Sequence, residues 1–313
     1  MDNAAPDSLI RLIQYFTSPG WRRNLAAGLL ALSSLASAKA DNFPPLNAEP
    51  STEQHPGKFE WADLFADHAE KEAAFYSKLF DWIPTKIEQN HHLVMLMSIG
   101  TQPVASIVQR PLFKRGAGPA RWVGYAAVAD VFAALASVEK AKGKVLAKLR
   151  DVPERGEQAI VSDRDGAIFG LIHSKSGDVP DYQAVAGEFA WAEVFSLTPQ
   201  VTVDFYKNVL GYDSVVDSSH DDQNHFLLAT GEIARAGVAP SPPWKDKKAD
   251  WLLFVCVANA DQMAKKASSL GATVLVGPHT SQHGGKLAII ADPEGGLVGL
   301  IELETATGLK GAP

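Results

Sequence analysis

The chain of 313 residues contains one cysteine, Cys256, so an intrachain disulfide, a thiolate zinc site and an iron-sulfur cluster are excluded. Within the run WLLFVCV this residue reads as a small core hydrophobe, not as a reactive thiol. Positive charge is also in short supply. There are 29 Lys and Arg against 36 Asp and Glu, a net charge of −7, and no basic block that would neutralise phosphates, which argues against nucleic acid as a partner. No P-loop, dinucleotide fingerprint or Ser-His-Asp order is present, and the glycine cluster at 116 to 118 lies in a loop with no helix behind it. The uncharged stretch Leu25 to Ser37 is too short to span a bilayer, so no permanent membrane anchor is expected. What is abundant is apolar residue, 46% against 21% charged, enough for two ordinary domains with buried cores.

Residues 1–40 do not belong to the fold pattern. Trp21-Arg22-Arg23-Asn24, the apolar stretch and Ala38-Lys39-Ala40 follow the order of a signal peptide, with cleavage expected after Ala40 and a periplasmic or secreted product. An amphipathic N-terminal helix is the alternative, and the residues around the paired arginines match a twin-arginine signal poorly. Residues 41–58, rich in Pro and polar side chains, read as a linker.

The rest of the chain repeats itself. FEWADLFADHAEKEAAFYSKLFDW (59 to 82) matches FAWAEVFSLTPQVTVDFYKNVLGY (189 to 212) without a gap at an offset of 130. Trp122 finds Trp251 at 129, Lys142-Gly143 finds Leu270-Gly271 at 128, and Asp163-Arg164-Asp165-Gly166 finds Asp292-Pro293-Glu294-Gly295 at 129. Two domains follow, 59–174 and 188–304, joined by Ser174 to Gly187.

Each copy has the same order of elements. Alternation at Phe59, Trp61, Asp63 and Phe65, and at Phe189, Trp191, Glu193 and Phe195, predicts a half-buried strand with those side chains on one face. An amphipathic helix follows, turning Ala69, Ala73, Tyr76 and Phe80, or Val201, Phe205, Val209 and Leu210, toward the sheet. Three short strands come next, in copy one near 84–87, 92–99 and 104–108. The pattern then restarts with strands at Trp122 to Val128 and Trp251 to Val257, helices at Val131 to Lys142 and Asp261 to Leu270, and three more strands. Each copy reads βαβββ twice, an α+β fold.

Two βαβββ units in about 115 residues, the motifs AFYSKLFDW and DFYKNVLGY, and the turns DRDG and DPEG resemble the vicinal oxygen chelate superfamily. That group holds glyoxalase I, bleomycin-resistance proteins, fosfomycin-resistance enzymes and extradiol dioxygenases. The resemblance implies two tandem vicinal-oxygen-chelate domains over residues 59 to 304, with a ligand cavity in each half-barrel. It also implies where a divalent metal is commonly held. The first-strand positions are Trp61 and Trp191, the fifth-strand positions fall near Val123 or Gly124 and near Trp251 or Leu252, and the last-strand positions are Gly170 and Gly299. None of these side chains ligates a cation, so the usual metal site is expected to be absent and no cofactor is implied.

The candidate site residues are Trp61 with Asp63 in copy one and Trp191 with Glu193 in copy two, neighbours on one face by period two. A carboxylate among Phe59, Trp61 and Phe65 should be desolvated and raised in pKa, fit to anchor a ligand or act as a base; the alternative is that the acids brace the module. Trp122 and Trp251 can complete an aromatic wall with Trp61 and Trp191, or fill the core. His91-His92 point to opposite faces, His279 and His283 lie on a loop, and His220 and His225 flank a turn, so none defines a metal site by spacing. Three functions stay open: a small-molecule binder of the bleomycin-resistance kind for an aromatic or apolar ligand; a glyoxalase-like lyase, isomerase, hydroxylase or dioxygenase using Asp63 or Glu193 as base or as an unconventional metal ligand; and an inert or protein-binding scaffold with filled cavities. A fused pair completes within one chain the contact that single-domain relatives make as dimers, which allows a monomer.

Overall fold

The computed structural model describes residues 43–89, 92–111, 116, 118–219, 224–243, 245, 248–281 and 285–303. The leader over 1–40, with Asp41, His91, His220 and His283, lies outside the described residues.

Copy one runs β1 (Phe59–Ala66), α1 (Ala69–Phe80), β2 (Ile83–Gln89), β3 (His92–Ile99), β4 (Gln102–Gln109), then β5 (Arg121–Ala127), α2 (Val131–Lys140), β6 (Lys144–Val152), β7 (Gly156–Ser162) and β8 (Ile168–Ser174). Copy two repeats this as β9 (Phe189–Ser196), α3 (Pro199–Leu210), β10 (Asp213–Val216), β11 (Phe226–Thr230), β12 (Ile233–Pro240), β13 (Asp250–Cys256), α4 (Ala260–Ser269), β14 (Thr273–Thr280), β15 (Lys286–Ala291) and β16 (Leu297–Glu302). Each copy forms one eight-stranded sheet, in the orders β2-β3-β4-β1-β5-β8-β7-β6 and β10-β11-β12-β9-β13-β16-β15-β14. The two βαβββ units of a copy meet where β1 pairs antiparallel with β5, or β9 with β13. The expected α+β tandem architecture is therefore the one observed.

Local signals set the helix ends. Asp130 and Asn259 cap α2 and α4 by accepting from Ala133 N (2.9 Å) and Gln262 N (2.8 Å). The first helices end on left-handed residues, Asp81 and Gly211.

One face of each sheet turns toward the helices and the other copy, and the two copies share a single large core there, with Ala62, Leu64 and Trp122 of copy one beside Ala192, Val194 and Trp251 of copy two. The opposite faces carry separate, smaller clusters. Parity is broken at the start of β1 and β9 by bulges that shift the register between Phe59 and Trp61 and opposite Phe189 and Trp191. Phe59 and Phe189 therefore leave the face of Trp61 and Trp191 and enter the shared core. This corrects the strict alternation expected from the sequence, since an inserted strand residue carries no mark in the hydrophobic pattern.

The segment taken for a linker is packed. Phe43 and Leu46 are buried in the cluster on the outer face of copy one. Asn47 Nδ2 lies within 3.2 Å of the carbonyls of Ser176, Gly177 and Asp178, and Ser51 N donates to Ser176 O at 2.9 Å. Tyr212 OH donates to Gly57 O and Thr230 Oγ1 to Pro56 O, so the same segment fastens copy two as well.

Candidate functional site

The repeated aromatic motifs serve the contact between copies. Tyr76 of α1 donates to Asp292 Oδ2 of the DPEG turn in copy two (2.9 Å) and accepts from Trp122 Nε1 (2.9 Å). Tyr206 of α3 donates to Asp163 Oδ2 of the DRDG turn in copy one (3.2 Å) and accepts from Trp251 Nε1 (2.7 Å). The stacking is reciprocal too: Phe59 packs on Trp251 (4.7 Å between ring centres) and Phe189 on Trp122 (5.5 Å). Burial and the neighbouring carboxylate hold both tyrosine hydroxyls far above their ordinary pKa, so they stay protonated donors. Glu294 of the same turn accepts from the backbone of Asp67 and His68, at the start of α1.

Trp122 and Trp251 thus stand on the sheet face opposite Trp61 and Trp191. In the register Trp61 sits across from Tyr125 and Leu64 from Trp122, and in copy two Trp191 faces Phe254 and Val194 faces Trp251. The expected wall of four tryptophans does not form. What separates them is cross-strand register, which fixes parity between strands.

Trp61 with Asp63, and Trp191 with Glu193, are neighbours as expected: each indole nitrogen donates to its acid at 2.8 Å. The surroundings differ. Asp63 also accepts from Ser106 Oγ (2.5 Å) and Tyr125 OH (2.8 Å), and Trp61 and Asp63 are only 4% and 5% exposed. The bare desolvated carboxylate expected in copy one instead accepts three hydrogen bonds, and Phe59 packs in the shared core. In copy two the residue across from Glu193 on β12 is Gly237, where a Cβ would lie 2.3 Å from Glu193 Oε2, and the residue across from Trp191 is Phe254, which has no hydroxyl. Trp191 and Glu193 are half-buried over a floor of Phe195, Leu252, Phe254 and Ile289.

The last-strand positions are glycine for a steric reason. A Cβ at Gly170 would lie 2.1 Å from the Tyr125 ring, and one at Gly299 2.1 Å from the Phe254 ring. Aromatic rings from β5 and β13 cover the places where the superfamily commonly puts a carboxylate. Among the described residues, no three His, Cys, Asp or Glu side chains are gathered as metal ligands. Cys256 is buried, with its thiol pushed up to about 11 by desolvation, which suits a core residue.

A cleft of about 200 Å³ opens between the copies at the starts of β1 and β9, and Phe59, Trp61, Phe189 and Trp191 are among its lining residues. Its charged rim is set by the connection between domains. Asp181 receives Arg235 Nη1 and Nη2 (2.5 and 3.0 Å) and pairs with Lys58 (3.0 Å); burial works against its charge, yet Arg235 and Lys58 hold its carboxyl below the ordinary value. Glu60, on the same rim, is pushed up to about 8 by desolvation and by Asp178. Sequence patterning did not single out Glu60, Asp181 or Arg235; an Asp in a connection and an Arg in a strand carry no spacing that ties them together.

Comparison with known proteins agrees with this architecture. The family model of the Glyoxalase/Bleomycin resistance protein/Dioxygenase superfamily matches residues 58–171, and that of a Glyoxalase-like domain matches residues 194–301. The chain belongs to the vicinal oxygen chelate superfamily, as a tandem two-domain member. Among curated relatives it is 25% identical over 253 residues to a Mycobacterium tuberculosis protein named "Putative glyoxylase CFP32", covering 80% of this chain and 97% of the relative. It is also 25% identical over 263 residues to the "Anthracycline biosynthesis protein DnrV" of Streptomyces peucetius, covering 79% and 94%. In fold it is similar to the Mn(II)-bound glyoxalase from Novosphingobium aromaticivorans (TM-score 0.56, 18% identity, 80% of this chain and 83% of that one). It is likewise similar to the 2,3-dioxygenase LapB from Pseudomonas sp. KL28 (TM-score 0.55, 14% identity, 80% and 93%).

Proposed function

We propose that the protein binds a small aromatic molecule on the outer face of copy two, with the ring against Trp191 and Phe254 and a hydroxyl or N–H of the ligand donated to Glu193. The observation that carries this reading is the contrast in exposure between the copies: copy one buries Trp61 and Asp63, whereas copy two leaves Trp191 and Glu193 half-buried beside Phe254. Aromatic floors with one well-placed polar group are the usual composition of small-molecule sites. The name of the Streptomyces relative ties that protein to anthracycline biosynthesis, which makes fused-ring phenols the first ligands to try.

The test is a calorimetric titration with 1-naphthol. Binding to the parent chain, lost at least tenfold in Trp191→Leu and in Glu193→Leu but unchanged in Asp63→Asn, is expected. Equal affinity across all four proteins would refute the site. Catalysis, if it accompanies binding, belongs on this reading to Glu193 as base, because Asp63 is buried and already accepts three hydrogen bonds. We further propose export: the secreted or periplasmic chain should begin at Asp41, and a mass matching the uncleaved chain in that fraction would contradict it.

A further inference from the structure

Three nitrogen donors in copy one, Arg155 Nε, Arg155 Nη2 and Gln158 Nε2, have no hydrogen-bond partner among the described residues. Both side chains are buried, Arg155 at 2% exposure. Buried donors are nearly always paired, so three in one hairpin call for an acceptor.

Their placement is built by the turn between β6 and β7. Glu154 and Gly156 both take positive φ (64° and 117°), and a Cβ on Gly156 would lie 2.1 Å from His173 O of β8, so the turn is held close against that strand with Arg155 at its middle. Its guanidinium lies over the Trp61 ring, 3.7 Å from the centre, and 4.4 Å from the centre of the Phe43 ring. Gln158 is two residues before Ile160, which packs on the same outer-face cluster as Trp61 and Phe43. The nearest acid on that face, Asp63, is engaged by Trp61, Ser106 and Tyr125. Phe43 therefore supplies a ring beside a buried cation and brings no acceptor with it.

We propose that copy one holds a second ligand site, for a small aromatic carboxylate that takes the place of Phe43 against Trp61 and accepts hydrogen bonds from Arg155 and Gln158. The planar fork of a guanidinium matches the two oxygens of a carboxylate, and the ligand ring inherits the contacts that Phe43 now makes. Asn47 and Ser51 fasten the chain just behind the plug, so only residues 43–46 need to lift. The cost of lifting lowers the apparent affinity of the parent protein, and truncating the plug removes that cost.

The experiment is a titration of the full chain with benzoate and, as the neutral counterpart, benzyl alcohol. Phe43→Ala is expected to tighten benzoate binding at least tenfold and benzyl alcohol binding less. Adding Arg155→Lys, which keeps the charge and loses the fork, should reverse the gain; Gln158→Met should reverse part of it, and serves if the lysine variant fails to fold. Benzoate binding that is no tighter in Phe43→Ala, or that survives both further substitutions, overturns the proposal. Trp191→Leu should leave benzoate binding intact while abolishing that of 1-naphthol, so failure of the copy-two site and failure of this one give different results.

Discussion

On the outer face of copy one an aspartate is held by an indole, a serine and a tyrosine, and the chain's own Phe43 and Leu46 lie in the concavity. At the same place in copy two a glutamate faces a glycine and a phenylalanine, over a smaller buried cluster. On the inner faces the copies barely differ: each lends a tyrosine to the other's DxxG turn and a phenylalanine to the other's tryptophan. Duplication thus kept the surface that joins the copies and let the two cavities part, one closed over by its own chain and the other carrying the more accessible acid.

The comparison can be broken from its symmetric side first. Trp122→Ala and Trp251→Ala should cost similar amounts, about 3–5 kcal/mol each, in denaturant unfolding, because each removes a buried indole and leaves a tyrosine hydroxyl without a donor. A large cost in one copy only would mean the inner faces are not equivalent. Gly170→Ala and Gly299→Ala should each cost about 1–3 kcal/mol by forcing the ring of Tyr125 or Phe254 off its place.

The asymmetric side gives smaller effects. Tyr125→Phe should destabilise by about 1–3 kcal/mol because it strips a donor from a buried carboxylate. The reverse exchange, Phe254→Tyr, should give Glu193 a competing donor and weaken 1-naphthol binding by roughly fivefold, about 1 kcal/mol. The smallest effect concerns pH. Glu72 is buried where copy two has Thr202, and desolvation together with Asp292 and Glu294 raises its pKa well above the ordinary carboxylate value of 4.5. A raised acid contributes stability that is complete below its unfolded pKa and is lost as pH climbs through the folded one. Stability should therefore decline from about pH 5 into the mildly alkaline range, and Glu72→Gln should flatten that decline and raise Tm by a few degrees near pH 9. An unchanged slope in Glu72→Gln would remove Glu72 as its source.

Much of the fold was legible because it rests on period and repetition: βαβββ units, helix faces and the DxxG turns all recur at nearly constant offset. Less of the site was. Trp61, Asp63, Trp191 and Glu193 stand together as their spacing implies, but Trp122 and Trp251 are equally well repeated and lie on the other face, since repetition marks importance to the module without saying which side it serves. The bulge that turns Phe59 inward adds one residue and leaves no trace in composition. The plug was hidden for a different reason: Phe43 and Leu46 sit among prolines and polar residues and have no counterpart among the described residues of copy two. Arg155 aligns with Gly284 at the offset of the DxxG turns, so the sequence records a difference between copies whose meaning depends on the fold.

The most direct test that the 1-naphthol site is confined to copy two is the indole N–H region of an ¹⁵N spectrum, in which the seven tryptophans report separately, recorded during titration with 1-naphthol. A progressive shift of the Trp191 resonance with that of Trp61 stationary is predicted. A shift at Trp61 alone, or at neither, would contradict the division of labour between the two copies.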